Sequence, residues 1–164
     1  MNFEISDDQQ AFSDLASQIL DERASHDHLR TLEASGEIRY DPALWAELAR
    51  SGLLGISIPE AYGGAGQGFF ELALIIEQVG RRTAPVPLLE TLVLAALPLA
   101  KFGSESQKQE WLPRMAEGKG IATAALVEDQ AEPDRPMTRA REDANGYVID
   151  GEKICVPAGP IADL

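Results

Sequence analysis

Apolar residues recur with helical spacing through the first two thirds of the chain. Phe12, Leu15, Ala16 and Ile19 fall at i, i+3, i+4 and i+7, with Asp14, Gln18 and Asp21 between them. Ser6 and Gln9 have capping-box spacing, and Asp7 and Asp8 follow in the first turn, where the helix dipole favours anions. The pattern predicts one long amphipathic helix continuing to about Leu32. Asp41-Pro42 opens a second, with Asp as N-cap and Pro at N1, Tyr40 and Trp45 at staple positions, and Gly52 as the stop after Arg50. Leu53 to Ile58 is a short apolar segment. Phe69 to Val79 is apolar on nearly every side, which predicts a buried helix ending at Gly80. Leu88 to about Phe102 predicts another apolar helix, bent or broken at Pro98 and stopped by Gly103. Ser104 and Gln107 form a second capping box, and Trp111, Leu112 and Met115 share a face of the helix that follows.

Past Gly118 and Gly120 the pattern changes. Ile121 to Val127 reads as a buried strand and Glu128 to Pro136 as a polar loop. Met137 to Arg141 and Tyr147 to Ile154 read as strands joined at Asn145-Gly146, with Asp150-Gly151 as a further turn or bulge. A last strand starts near Ala162. The fold class is mainly α with a β segment. The expected division is a helical domain over 1–118 and the first part of a β domain over 119–164.

Composition narrows the function classes. The chain has 164 residues and is 45% hydrophobic, in the globular range. Its net charge of −13 argues against nucleic acid and anionic membrane surfaces, both of which call for a surplus of Lys and Arg. The longest apolar run, Leu92 to Ala100, is far short of the roughly 20 residues of a membrane span. The start, MNFEISDDQQ, has no apolar run of the signal-peptide kind, and the single cysteine, Cys155, suits a reducing compartment. A cytoplasmic location is the expectation.

Candidate chemistry is sparse. The glycine-rich stretch IPEAYGGAGQG (58–68) has P-loop spacing at Gly63 and Gly68, but Phe69 stands where a lysine must reach phosphate. It also lacks the third Rossmann glycine. A tight connector with positive φ is the better reading. His26 and His28 are two apart on a helix, so their rings diverge and favour no metal. Glu128, Asp129, Glu132 and Asp134 read as a solvated acidic loop rather than an acid/base or cation site. Cys155 reads as a buried structural thiol. Glu90 is a lone charge in Pro87–Ala100, either on an exposed stripe or facing a cavity.

The order of WAELARSGLLGISIPEAYGGAGQG (45–68), FGSESQKQEWLPRMAEGKGIATAALVED (102–129) and DANGYVIDGEK (143–153) resembles the acyl-CoA dehydrogenase family. The resemblance covers essentially the whole chain. It implies an N-terminal helical domain followed by the first strands of an incomplete β-barrel domain. It also implies FAD as cofactor, oxidation of an acyl-CoA thioester to the 2-enoyl-CoA, an electron-transfer flavoprotein or similar acceptor, and a homo- or hetero-oligomer. The family's L-T-E-P-x-A-G-S-D and W-I-T-N motifs carry over onto this chain. They put Leu126, Val127 and Glu128 beside the flavin ring, Pro133 near the CoA arm, and Cys155, Val156 and Pro157 over the flavin. Val86 and Glu90 fall on the stretch that lines the acyl pocket. Val127, Pro133, Cys155 and Pro157 depart from the family pattern, each replacing a residue with a polar or stacking side chain. The family's catalytic glutamate lies in a later domain, so none is expected here and this chain alone is expected to be inactive. A catalytically silent partner subunit of a mixed oligomer is the alternative.

Overall fold

A computed structural model describes residues 4–36, 38–144 and 146–164. It is mainly helical, with one two-stranded antiparallel sheet. Helix α1 (Asp7–Arg23) opens with the capping box: Ser6 Oγ accepts the Gln9 amide, and the Gln9 side chain accepts the Ser6 amide. It stops nine residues short of the expected end, because Ser25 competes as a new N-cap. Ser25 Oγ accepts the His28 amide at 3.3 Å, and α2 (His26–Ala34) starts on a new axis.

Helix α3 (Pro42–Arg50) follows its local signals. Asp41 accepts the amides of Ala43 and Leu44, both at 3.0 Å. Burial pushes the Asp41 carboxyl up, but the Leu44 amide and His28 outweigh it, and the net pKa lies below the usual carboxylate range. His28 Nε2 stands 2.7 Å from Asp41 Oδ2, so this half-exposed histidine ties α2 to the cap of α3.

The apolar segment after Gly52 is a 3-10 turn, Leu53–Gly55, with Leu53, Leu54, Ile56 and Ile58 buried. The glycine loop then folds back on it. The Ala65 amide donates to Gly55 O, Gly66 to Ile58 O and Gln67 to Ile56 O. Gly64 lies so close to this segment that a Cβ there would sit 2.0 Å from Ile58 O. Gly63 has φ 81° but open space around it. The loop is a compact joint.

Helix α4 (Phe69–Arg82) packs along α1. Gln9 bonds Glu71, Gln78 bonds Ser13 within the core, and Arg82 pairs with Asp21. These contacts run in the same order on both helices, so the two lie parallel. The helix is not buried all round. Phe69 and Phe70 are exposed, because Gln9 in the first turn of α1 reaches only to Glu71. Nor does it end at Gly80. The Glu77–Arg81 and Asp21–Arg82 pairs hold one more turn, and Thr83 supplies the left-handed end at φ 48°.

Pro98 does not break the next helix. Leu89–Ala96 winds in wide π-type turns, with the Leu97 amide donating to Leu92 O, five residues back. The chain then continues as α5 (Leu97–Phe102) with Pro98 in its first turn. The widening relieves the clash between a proline ring and the carbonyl one regular turn earlier. Helix α6 (Glu105–Ala116) carries the second capping box and tolerates Pro113 inside it. The buried core runs through Leu20, Trp45, Leu54, Ile75, Leu92 and Met115.

The β region is thinner than expected. Residues 121–127 are extended but form no ladder, and only Ile121 and Ala122 are buried. The tail at 163–164 gives them three bonds: Asp163 N donates to Ile121 O, Ile121 N to Asp163 Oδ2, and Thr123 N to Leu164 O. The pairing goes no further, and neither a strand at 121–127 nor one near Ala162 develops. β1 (Arg139–Asp143) and β2 (Gly146–Asp150) form the hairpin, with Arg139 opposite Asp150. Asn145 of its turn lies outside the described residues. β2 stops at Asp150 rather than Ile154, because Gly151 crosses Thr138 too closely for any side chain: a Cβ would meet Thr138 Oγ1 at 2.3 Å.

The two neighbouring glycines give a direct test of the joint. Gly64→Ala is expected to cost about 3 kcal/mol through overpacking against backbone, and Gly63→Ala about 1 kcal/mol through its positive φ alone. Denaturant unfolding followed by tryptophan fluorescence measures both.

Candidate functional site

Two of the segments singled out in the sequence meet in space. The Ile154 amide donates to Val127 O at 2.9 Å, and Lys153 pairs with Glu128, so residues 127–128 lie against 153–154. Leu126 is 49% exposed and Val127 42%, which leaves an apolar ledge open to solvent. Among the described residues, the amides of Leu126 and Val127 donate to no protein acceptor.

Glu128 behaves otherwise. It is only 8% exposed and its carboxylate is fully engaged. Met137 N donates to Oε2 at 2.6 Å, Thr138 N to Oε1 at 3.1 Å, and Lys153 Nζ stands 2.7 Å from Oε1. Lys153 is the main cause, with the two amides assisting, that holds its pKa well below the usual range, at about 2. This corrects the reading of 128–134 as a wholly solvated acidic loop: its first carboxylate closes the loop from within. Asp129, Glu132 and Asp134 are exposed as expected.

Cys155 is exposed, at φ 50°, and is not the buried thiol its neighbours suggested. The left-handed turn there swings the side chain away from the core. Val156 is half-buried and Pro157 exposed; proline brings no amide donor. Pro133 sits exposed within the 128–136 loop and joins neither segment.

Val86 and Glu90 are half-buried and line a cleft of about 300 Å³ with Arg39, Pro85, Ala158 and Ile161. Glu90 therefore faces a cavity. Ala158 directly follows Pro157, so the cleft adjoins the ledge. Sequence reasoning missed Lys153, Arg39 and Ile161. The only signal for Lys153 was a cation at the end of an apolar-alternating strand, with its partner 25 positions away.

Chemically, the ledge offers an apolar platform edged by two open amides. That suits a flat ligand with acceptor atoms on its rim. The donors come from main chain, so the arrangement survives the loss of polar side chains nearby. Residues 6–119 match the family described as acyl-CoA dehydrogenase, N-terminal domain.

The chain belongs to the acyl-CoA dehydrogenase family.

It is similar to the acyl-CoA dehydrogenase FadE27 of Mycobacterium tuberculosis, at 34% identity over 99% of this chain and 43% of that protein. Among solved structures, the ChsE4-ChsE5 complex from Mycobacterium tuberculosis superposes with a TM-score of 0.91 at 34% identity, covering 99% of this chain and 44% of that one. An acyl-CoA dehydrogenase complexed with FAD from Bacillus anthracis superposes at 0.79 with 31% identity, covering 92% and 27%. The chain thus spans less than half the length of these relatives. The acyl-CoA dehydrogenase family uses FAD. No helix among the described residues is long and apolar enough to cross a membrane.

The carboxylate knot sets a pH dependence. The folded-state pKa of Glu128 is depressed to about 2 from 4.5, so its contribution is present above pH 4.5 and is lost as pH falls through about 2. The expected outcome is loosening of loop 128–138 between those values, before α1–α6 unfold. Amide NMR signals of Met137 and Thr138 across an acid titration check it, and Glu128→Gln should show the loosened spectrum already at pH 7.

Proposed function

We propose that this chain is the N-terminal part of a flavin-dependent acyl-CoA dehydrogenase that oxidises an acyl-CoA thioester to the 2-enoyl-CoA. Residues 1–118 form its helical domain and 119–164 the first part of its β domain. The carrying observation is the juxtaposition of 127–128 with 153–154, joined by the Ile154–Val127 bond and the Lys153–Glu128 pair, with the Val86–Glu90 cleft reached a few residues on at Ala158.

FAD, when bound, supplies the acceptor for the hydride leaving the β-carbon, and a base beyond this chain takes the α-proton. This chain's residues bind and orient. The open amides of Leu126 and Val127 would donate to acceptor atoms of the flavin, and the apolar side chains would exclude water there. Glu128 contributes through the backbone it holds, since its carboxylate is occupied. Val156, with Cys155 and Pro157 beside it, would cover the flavin. Val86 and Glu90 line the acyl cleft, and Pro133 lies toward the CoA arm. An electron-transfer flavoprotein or similar acceptor would serve the complete protein as electron acceptor.

A specific observation also favours a second reading, a catalytically silent subunit in a mixed oligomer. Val127 brings no hydroxyl, Pro157 no amide hydrogen and Cys155 no stacking ring, and Cys155 is turned to solvent. The ChsE4-ChsE5 complex is itself an assembly of two named components.

The chain's natural full-length product, purified alone and with a co-expressed acyl-CoA dehydrogenase subunit, tests both. The enzyme reading predicts a flavin band near ~450 nm and acyl-CoA-dependent dye reduction from the product alone. The silent-subunit reading predicts both only in the mixed assembly. Flavin in neither preparation contradicts the two readings together.

A further inference from the structure

Lys153 has no assigned role in the site just described, yet it stands at the place where three stretches of chain converge. Glu128 begins the 128–136 loop, and Met137 and Thr138 end it. Both amides reach back to the one carboxylate, so Glu128 closes its own loop. Lys153 enters from the far side of the hairpin, 2.7 Å from Glu128 Oε1. The side chains are 24% and 6% exposed, so this is not an ordinary surface pair, which would contribute little.

The contact has a register. Glu128 follows Val127, and Lys153 precedes Ile154. The Lys153–Glu128 ion pair and the Ile154–Val127 hydrogen bond are therefore successive rungs between the same two segments, running in opposite directions. No other direct hydrogen bond joins 125–128 to 152–157 among the described residues. A single backbone bond leaves an extended pair free to slip. A slip of one residue exchanges the faces on which alternate side chains and amides point. The ion pair is the second point that fixes the alignment. It acts through a buried carboxylate with a defined position, which a flexible surface pair lacks.

We propose that Lys153 is a positioning residue for the flavin-facing ledge: through Glu128 it fixes the register of 126–128 against 153–157, and so the direction in which the Leu126 and Val127 amides point. This rests on the flavin-dependent reading given above. The surroundings make Lys153 hard to replace. The groups lining the adjoining cleft of about 370 Å³ include Asp129, Asp150 and Glu152, with Arg139 the one other cation among them. Loss of Lys153 leaves the Glu128 carboxylate with the Met137 and Thr138 amides alone. The role also explains how the ledge keeps its shape while the neighbouring side chains depart from the family pattern. Register depends on Lys153 and Glu128, both of which this chain retains, and not on Val127 or Cys155.

Lys153→Met and Lys153→Arg in the full chain test it by amide hydrogen exchange. The Met variant is expected to exchange about tenfold or more faster at Ile154, whose amide is bonded to Val127 O. Protection over residues 6–119 should stay as in the parent, and the Arg variant should recover the parent rates. Three outcomes overturn the proposal: unchanged exchange in the Met variant, an Arg variant as fast as the Met variant, or loss of protection throughout 6–119. In the flavin-loaded assembly the visible band should shift for Met and not for Arg, and an unshifted band in Met counts against the proposal. If the parent takes up no flavin in any assembly, the flavin reading fails, while the exchange rates still decide whether Lys153 sets the register.

Discussion

The handover from the helical part to the β part depends on Trp45. Its indole is 2% exposed at the centre of the core, and its Nε1–H donates to Gly118 O at 3.1 Å. Gly118 lies against Ala49 and Leu54 with φ 68°, so the backbone just past α6 is pressed into α3 where no side chain fits. This fixes where the chain leaves the helices. Ile121 and Ala122 then bury themselves beside Thr91, whose hydroxyl accepts the Ala122 amide at 3.4 Å. From that anchor the chain reaches the surface by Leu126. The ledge is thus held at one end by an indole hydrogen bond and at the other by the Glu128 knot, with little regular sheet between them.

That arrangement explains what could be read from the residues and what could not. Both capping boxes, the Asp41-Pro42 start and the glycine joint were legible, because each is decided within a few positions. The break at Ser25 was local too, but the apolar spacing that runs across it masked the cap. The exposure of Phe69 and Phe70 and the extra turn past Gly80 are set by where α1 begins and ends against α4, which no window of α4 contains. Residues 121–127 have the composition of a buried strand. Their burial is decided by which neighbours arrive: Thr91 and the tail at 163–164 cover the first residues, and only the Ile154 amide reaches Val127.

The site shows the same division. Its segments were located through family resemblance, and spacing alone pointed to no reaction. The distinct state of Glu128 was invisible: four acids within seven residues look alike until one of them collects two amides and a lysine. Cys155 was misjudged because apolar flanks suggest burial, whereas the left-handed turn at that residue turns it outward. The resemblance puts Val127, Cys155 and Pro157 where the family has polar or stacking side chains, and the open donors at the ledge are main-chain amides. Backbone donors and an internal ion pair tolerate such replacement, since neither depends on the identity of the exposed residues.

The central claim is that the ledge at 126–128 and 154–157 faces flavin. Titrating FAD into the isotope-labelled chain within its assembled oligomer, with amide shifts followed by NMR, tests it most directly. The account predicts that the largest shifts fall on Leu126 and Val127, with smaller ones on Ile154 to Val156. Shifts confined to the helical region, or none at the ledge with flavin demonstrably bound, would contradict it.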